Sequence, residues 1–207
     1  MTRIITFLVL MILGQLSAQN TVETQLKDAL LTWNSNDKEK ALPLFDEVAE
    51  KYADNWLANY YVAYANVVTA FSYKEQPETL KVYLDKAQTA QDKVNLLEPN
   101  NAEVLVVQAL INTGYIIYNP MQNGRTYSEF VQKLYKRALL LAPENPRVLL
   151  CKTEFEVGMT RYMGGDVKPF CNQFLKAKEL FSTFKPESDL HPNWGTEKLE
   201  NDLLTCN

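Results

Sequence analysis

The sequence holds one histidine, which already narrows the chemistry open to it. Proton transfer and metal ligation usually draw on clusters of His, Cys and carboxylate. His191 lies between Leu190 and Pro192, with no second His and no Cys near it in sequence. A general base needs an orienting partner within hydrogen-bond reach. His191 therefore reads as a surface or packing residue, and a hydrolase would require a partner that the fold brings to it. Glu154 and Glu156, two apart on a helical segment, point apart. Gly164-Gly165-Asp166 is not followed by Gly-Lys-Ser/Thr and reads as a turn, not a phosphate cradle. No Gly-x-Ser-x-Gly elbow and no dinucleotide fingerprint occur. No catalytic residue, no metal site and no cofactor is expected.

Binding chemistry is a better match to the polar residues. Asn59 and Asn66 are seven apart; Gln108, Asn112 and Tyr115 follow steps of four and three; Lys152 and Glu156 are four apart. Each set falls on one side of a helix. They read either as a stripe for a partner or as wetted spots on helices that are otherwise buried. Tyr60, Tyr61 and Tyr64 crowd one of these helices, and Tyr115 and Tyr118 another. Such rings fill cores and also make contact surfaces. Of three cysteines, Cys151 follows Val148-Leu149-Leu150 and reads as a small core residue. Cys171 and Cys206 are the candidate disulfide, since the last helix should fold back on the one before it. Spacing alone does not fix that connectivity.

The elements that carry these residues are helical throughout. Segments 37–53, 78–98, 128–142 and 168–184 repeat apolar residues at steps of three and four, giving one wet face each. Segments 55–73, 102–118 and, less strongly, 147–163 are apolar nearly all round, as buried helices are. Inner and outer helices therefore alternate, with further helices expected at 21–34 and 195–205. Glu98-Pro99-Asn100-Asn101 and Ala142-Pro143-Glu144-Asn145-Pro146 end one helix and start the next; Asn145 is an N-cap with Pro in the first turn. Asp166 offers the next cap. Residues 119–125 read as the longest loop of the domain.

The first 18 residues stand apart. Arg3 leads into the apolar run Ile4–Leu13, followed by Gly14-Gln15-Leu16-Ser17-Ala18. This is the pattern of a secretory signal peptide cut after Ala18, and the run is about half the ~20 residues that span a bilayer. An uncleaved anchor or a buried first helix is the alternative. No Cys sits at the cleavage point, which argues against a lipid anchor. The expected organisation is a signal peptide at 1–18 and a helical domain at 19–207. The net charge of −4 argues against nucleic acid and anionic membrane as partners.

Leu134-Tyr135-Lys136-Arg137-Ala138-Leu139-Leu140-Leu141-Ala142-Pro143 resembles the second helix of a tetratricopeptide repeat. The aromatic is Tyr135, the small residue Ala138 and the closing proline Pro143. Gln91/Val94/Pro99 keeps the proline and loses the aromatic; Phe45/Val48/Ala53 does the reverse; Phe174/Ala177/Ser182 delays the proline to Pro186. These frames recur every 39 to 46 residues, longer than the family's norm of about 34. The stretch 184–195, with Gly164-Gly165 before it, resembles the C-terminus of exported bacterial tetratricopeptide proteins without assigned activity. The resemblance implies an all-α TPR-like α-α superhelix of antiparallel helix pairs with a C-terminal capping helix. It implies a non-catalytic protein–protein interaction module, periplasmic or secreted. Its partner would be a peptide segment or surface of an envelope protein, met on the concave side. A structural subunit of an envelope complex, and a small-ligand binder with a Tyr-lined pocket beside 119–125, are the alternatives.

Overall fold

The structure is a computed structural model and describes residues 22–206. The expected signal peptide lies outside the described residues. Among the described residues nine α-helices run in order: α1 (22–34), α2 (Lys38–Lys51), α3 (Trp56–Phe71), α4 (Pro77–Leu97), α5 (Ala102–Tyr118), α6 (Pro120–Leu141), α7 (Pro146–Tyr162), α8 (Cys171–Thr183) and α9 (Thr196–Leu204). A 3₁₀ turn, Lys168–Phe170, precedes α8. Among the described residues there is no strand, and no helix is long and apolar enough to cross a membrane.

The three nearly all-apolar segments are the inner helices α3, α5 and α7, and each begins in the same way. Asn55, Asn101 and Asn145 sit in extended backbone just before them, and their side-chain oxygens accept from Ala58, Glu103 and Arg147 N–H groups. Each cap satisfies one of the amides that a helix leaves unpaired at its start. α3 packs along α4, α5 along α6 and α7 along α8. The repeat-like positions are the seams of these pairs: Phe45, Val48, Gln91, Val94, Tyr135, Ala138, Phe174 and Ala177 are all at most 4% exposed. Gln91, where an aromatic would fall, instead donates to the Val104 carbonyl at 2.9 Å and ties α4 to α5.

The expected loop at 119–125 is helix. Asn119 accepts from the Gln122 N–H, and Pro120 opens α6. Asn-Pro is a turn signal, but it is also a cap followed by a proline at the first helical position, where no N–H is needed. Gly124 faces open space inside that first stretch, so nothing nearby forces a break.

A buried ion pair joins the inner helices. Glu103 lies in the first turn of α5 and Arg147 in the first turn of α7. Arg147 Nε donates to both Glu103 carboxylate oxygens at 2.9 Å, and Nη2 donates to Oε1 at 2.5 Å. Asn145 Nδ2 adds a bond to the same oxygen at 2.6 Å. The guanidinium lies 4.5 Å from the ring centre of Phe184 and 5.8 Å from that of Trp194.

Those two aromatics belong to the segment between α8 and α9, which crosses back over α3. Trp194 stacks on Tyr64 with centroids 4.6 Å apart and donates from Nε1 to the Tyr60 hydroxyl at 3.0 Å. The Tyr61 hydroxyl donates to the Leu190 carbonyl at 2.8 Å. Gly195 then turns the chain at φ 111°, where a Cβ would come within 2.9 Å of Phe181 Cζ. α9 follows and buries Leu199 against Leu150, Phe174 and Ala177. Cys171 and Cys206 are disulfide-bonded, joining the start of α8 to the end of α9; Cys151 is a free thiol in the core.

A polar contact also holds α9. Lys198 donates to Glu154 of α7, and the Asp202 carboxyl lies close enough to act on the same group. Burial pushes the Glu154 carboxyl up, to about 8; the Lys198 ammonium pulls it down, and Asp202 pushes it up again. At neutral pH Glu154 therefore retains its proton.

Arg147→Met leaves Glu103 buried without its counter-ion and should lower the unfolding free energy by about 3–5 kcal/mol in a denaturant titration. Replacing Glu103 as well, by Leu, should restore part of that loss. For Glu154 the sign runs the other way from a normal carboxylate. Between its ordinary 4.5 and about 8, the unfolded chain releases a proton that the folded chain keeps. Its contribution is full below that window and is lost as pH rises through it. The melting temperature should fall across the window, and Glu154→Gln should flatten the slope; an equal slope in both proteins refutes the assignment.

Candidate functional site

The seven residues expected to face a partner do not share one surface. Asn59 and Asn66 are 1% and 3% exposed. Asn59 donates to the carbonyls of Ala53 and Asn55, and Asn66 to that of Val62, so both amides serve their own backbone. Gln108 is half-buried and bonds Gln88, Asn95 and the buried Asn112 across the α4–α5 seam. The Tyr115 hydroxyl donates to Asp85 at 3.0 Å, and its ring stacks on Tyr127 at the place where a Tyr-lined pocket was expected. Tyr60, Tyr61 and Tyr64 belong to the core. Polar residues at helical spacing here close helix seams.

Lys152 and Glu156 are different, because they border a cleft. The Gly164-Gly165 turn, with Gly164 at φ 75°, and the 3₁₀ turn after it delay the start of α8. Asp166 caps that turn by accepting from Lys168 N–H at 3.0 Å. Between α6, α7 and Phe170 lies a cleft of about 670 Å³. Leu139, Phe155, Met159 and Phe170 wall it, and Tyr135 forms part of the floor. Lys136, Lys152 and Glu156 stand at its edge, with Lys152 donating to Glu156 at 2.5 Å. The Tyr135 hydroxyl is buried with no hydrogen-bond partner, and burial raises its phenol well above the ordinary 10, so it stays protonated. Met159 Sδ lies 3.8 Å from the Ser128 hydroxyl, whereas Met163 at the mouth is 71% exposed.

A larger cleft of about 990 Å³ lies between the loops that precede α5 and α7 and the 184–192 segment. Its walls mix Glu98, Glu144 and Glu187 with Lys176 and Lys185, and Glu103 and Arg147 on its lining are already committed to each other. No single ligand charge matches that arrangement, and the α6–α7 cleft has the more apolar lining.

His191 does gain partners: its Nδ1 lies 2.8 Å from Ser188 Oγ, and Nε2 lies 3.2 Å from Glu187 Oε2. The trio has the residue types of a nucleophile and its base, yet it is one local turn. His191 N–H donates to the Ser188 carbonyl, and Leu190 N–H donates to Ser188 Oγ. Glu187 is 86% exposed, so water screens the carboxylate that would have to fix the ring. Its geometry is that of a hydroxyl-stabilised turn.

No family model matches the chain, and no curated protein sequence matches it. Among solved structures, the chain superposes on the HusA haemophore from Porphyromonas gingivalis with a TM-score of 0.70 at 19% identity, over 89% of this chain and 92% of that one. At that identity, the likeness is one of fold.

Proposed function

We propose that this chain is an exported, non-catalytic carrier on a tetratricopeptide-like scaffold, holding a flat apolar ligand of the porphyrin class in the α6–α7 cleft. The observation that carries the reading is the cleft itself: apolar walls from Leu139, Phe155, Met159 and Phe170, with two lysines at the edge. Flat macrocycles need apolar faces around them, and their carboxylates need cations. Apolar burial contributes roughly 25 cal/mol per Å², while an exposed ion pair contributes about 0–1 kcal/mol. The walls therefore supply affinity, and Lys136, the edge lysine that is not paired with Glu156, supplies orientation. A fold shared with a protein named as a haem carrier supports the ligand class. The Cys171–Cys206 bond supports export, because disulfides persist in oxidising compartments.

An envelope-protein partner on the inner helices has less support. Leu190 and Trp194 already cover the α3 tyrosines that such a partner would meet.

Titrating residues 19–207 with protoporphyrin, followed by visible absorption and protein fluorescence, should show saturable one-site binding. Leu139→Glu places a carboxylate on the cleft wall and should weaken binding by about tenfold or more, the scale of one buried charge or lost apolar side chain. Gln108→Ala, on the α4–α5 seam, should leave it unchanged. Binding that is absent, or indifferent to Leu139→Glu, refutes the site.

A further inference from the structure

We propose that the Cys171–Cys206 bond positions the Phe170 wall of the α6–α7 cleft, so that cleavage of the bond by a dithiol reductant loosens the cleft's hold on its ligand. This rests on the cleft being the ligand site. Phe170 is the wall residue contributed by the 3₁₀ turn, and its chain neighbour Cys171 carries the bond. Among the described residues, the hydrogen bonds of that turn stay within it or end on the last turn of α7. Asp166 accepts from the Lys168 N–H, Phe170 N–H donates to the Val167 carbonyl, and Gly165 N–H donates to the Thr160 carbonyl. From Gln173 onward α8 is anchored to α7, by Thr153 Oγ1 donating to Gln173 Oε1 at 3.1 Å and by the buried Phe174. Ahead of that point, the disulfide and the packing of the Phe170 ring tie the turn down.

Both ties lead to α9. Phe170 packs on the cluster of Leu150, Phe174, Ala177 and Leu199, and Leu203 and Cys206 lie against the same cluster. α9 has 9 residues and one buried side chain, Leu199. A helix so short is marginal without tertiary support. Its remaining polar ties are Lys198 to Glu154 and the exposed pair Lys178–Glu200, and exposed pairs contribute little. The bond therefore holds α9 and the turn against each other. In its cleavage, one thiolate of the dithiol attacks a sulfur of the bond, and the second thiolate resolves the mixed disulfide. Two electrons and two protons pass to Cys171 and Cys206, which become thiols, and the reductant becomes a disulfide. Both cysteines are half-buried, so a small dithiol reaches them. Cys151 stays out of the exchange: it is 2% exposed, and burial keeps its thiol protonated.

Metal-free protoporphyrin is titrated into wild type, Cys171→Ser/Cys206→Ser and Phe170→Ala, each with and without dithiothreitol and each below its melting temperature. Reduced wild type and the double-serine protein should bind about tenfold more weakly than oxidised wild type, the scale of one apolar side chain lost from a wall. The double-serine protein should ignore the reductant, which shows that the ligand itself is unaffected. Phe170→Ala should be weakened to the same degree when oxidised and lose nothing further on reduction. A bond that acts through overall stability would weaken Phe170→Ala again by the same factor. That result, or equal affinity of oxidised and reduced wild type, overturns the proposal. Amide hydrogen exchange reads the turn without a ligand: reduction should speed exchange at Lys168, Phe170 and Cys171 and leave α3 unchanged. Unchanged exchange at those three amides shows that the bond does not hold the turn and equally overturns it. Wild type that binds no protoporphyrin in either state refutes the cleft as the ligand site, and ligand release falls with that reading, while the exchange still decides whether the bond positions Phe170.

Discussion

The Glu103–Arg147 pair is the constraint around which the described chain is arranged. The amino ends of α5 and α7 lie side by side, and each presents partly positive, unpaired amides. Glu103 is favourable at such an end. Arg147 is unfavourable there by itself, and is tolerable because Glu103 takes it in a fork of hydrogen bonds. The pair thereby sets which turn of α5 faces which turn of α7. Buried pairs of this kind are weak sources of net stability, and here the energy of packing comes from α3, α5 and α7. What the pair contributes is register. It also presents a flat cation to Phe184 and Trp194, which directs the segment before α9 back towards α3.

That return path bears on function. In stacked helix pairs the inner helices usually offer the binding face. Here Leu190 and Trp194 bond and stack with three α3 tyrosines, so the aromatic wealth of α3 is satisfied within the chain. An apolar cleft lies instead between α6, α7 and Phe170, close to the glycine turn that precedes α8.

Much of the fold was readable in the sequence, and the reasons differ by element. The all-apolar stretches around Tyr61, Val106 and Leu150 announced buried helices because a helix with no wet face has nowhere else to go. Asn145-Pro146 announced a helix start because both residues act locally. Residues 119–125 misled because Asn-Pro serves turns and helix starts alike, and a single sequence does not say which. Polar stripes such as Gln108 and Asn112 misled because periodicity marks a helix side without saying whether water or another helix lies against it. The Glu103–Arg147 pair had no local signal at all. Its members are 44 residues apart, and each looks like an ordinary surface charge at a helix end. Of the cleft, Lys152 and Glu156 were visible as a pair, but Tyr135 read as the aromatic of a repeat, and Phe155 and Phe170 fell within helical segments with nothing to single them out.

The bond between Cys171 and Cys206 encloses the whole stretch from α8 to α9, including the exposed turn around Lys185 to Asp189. That turn is the kind of site where proteases cut. A nick there opens the backbone but frees neither piece, since sulfur still joins them. Trp194 stays within reach of Tyr64, and the clipped protein survives as a two-piece molecule until a reductant arrives.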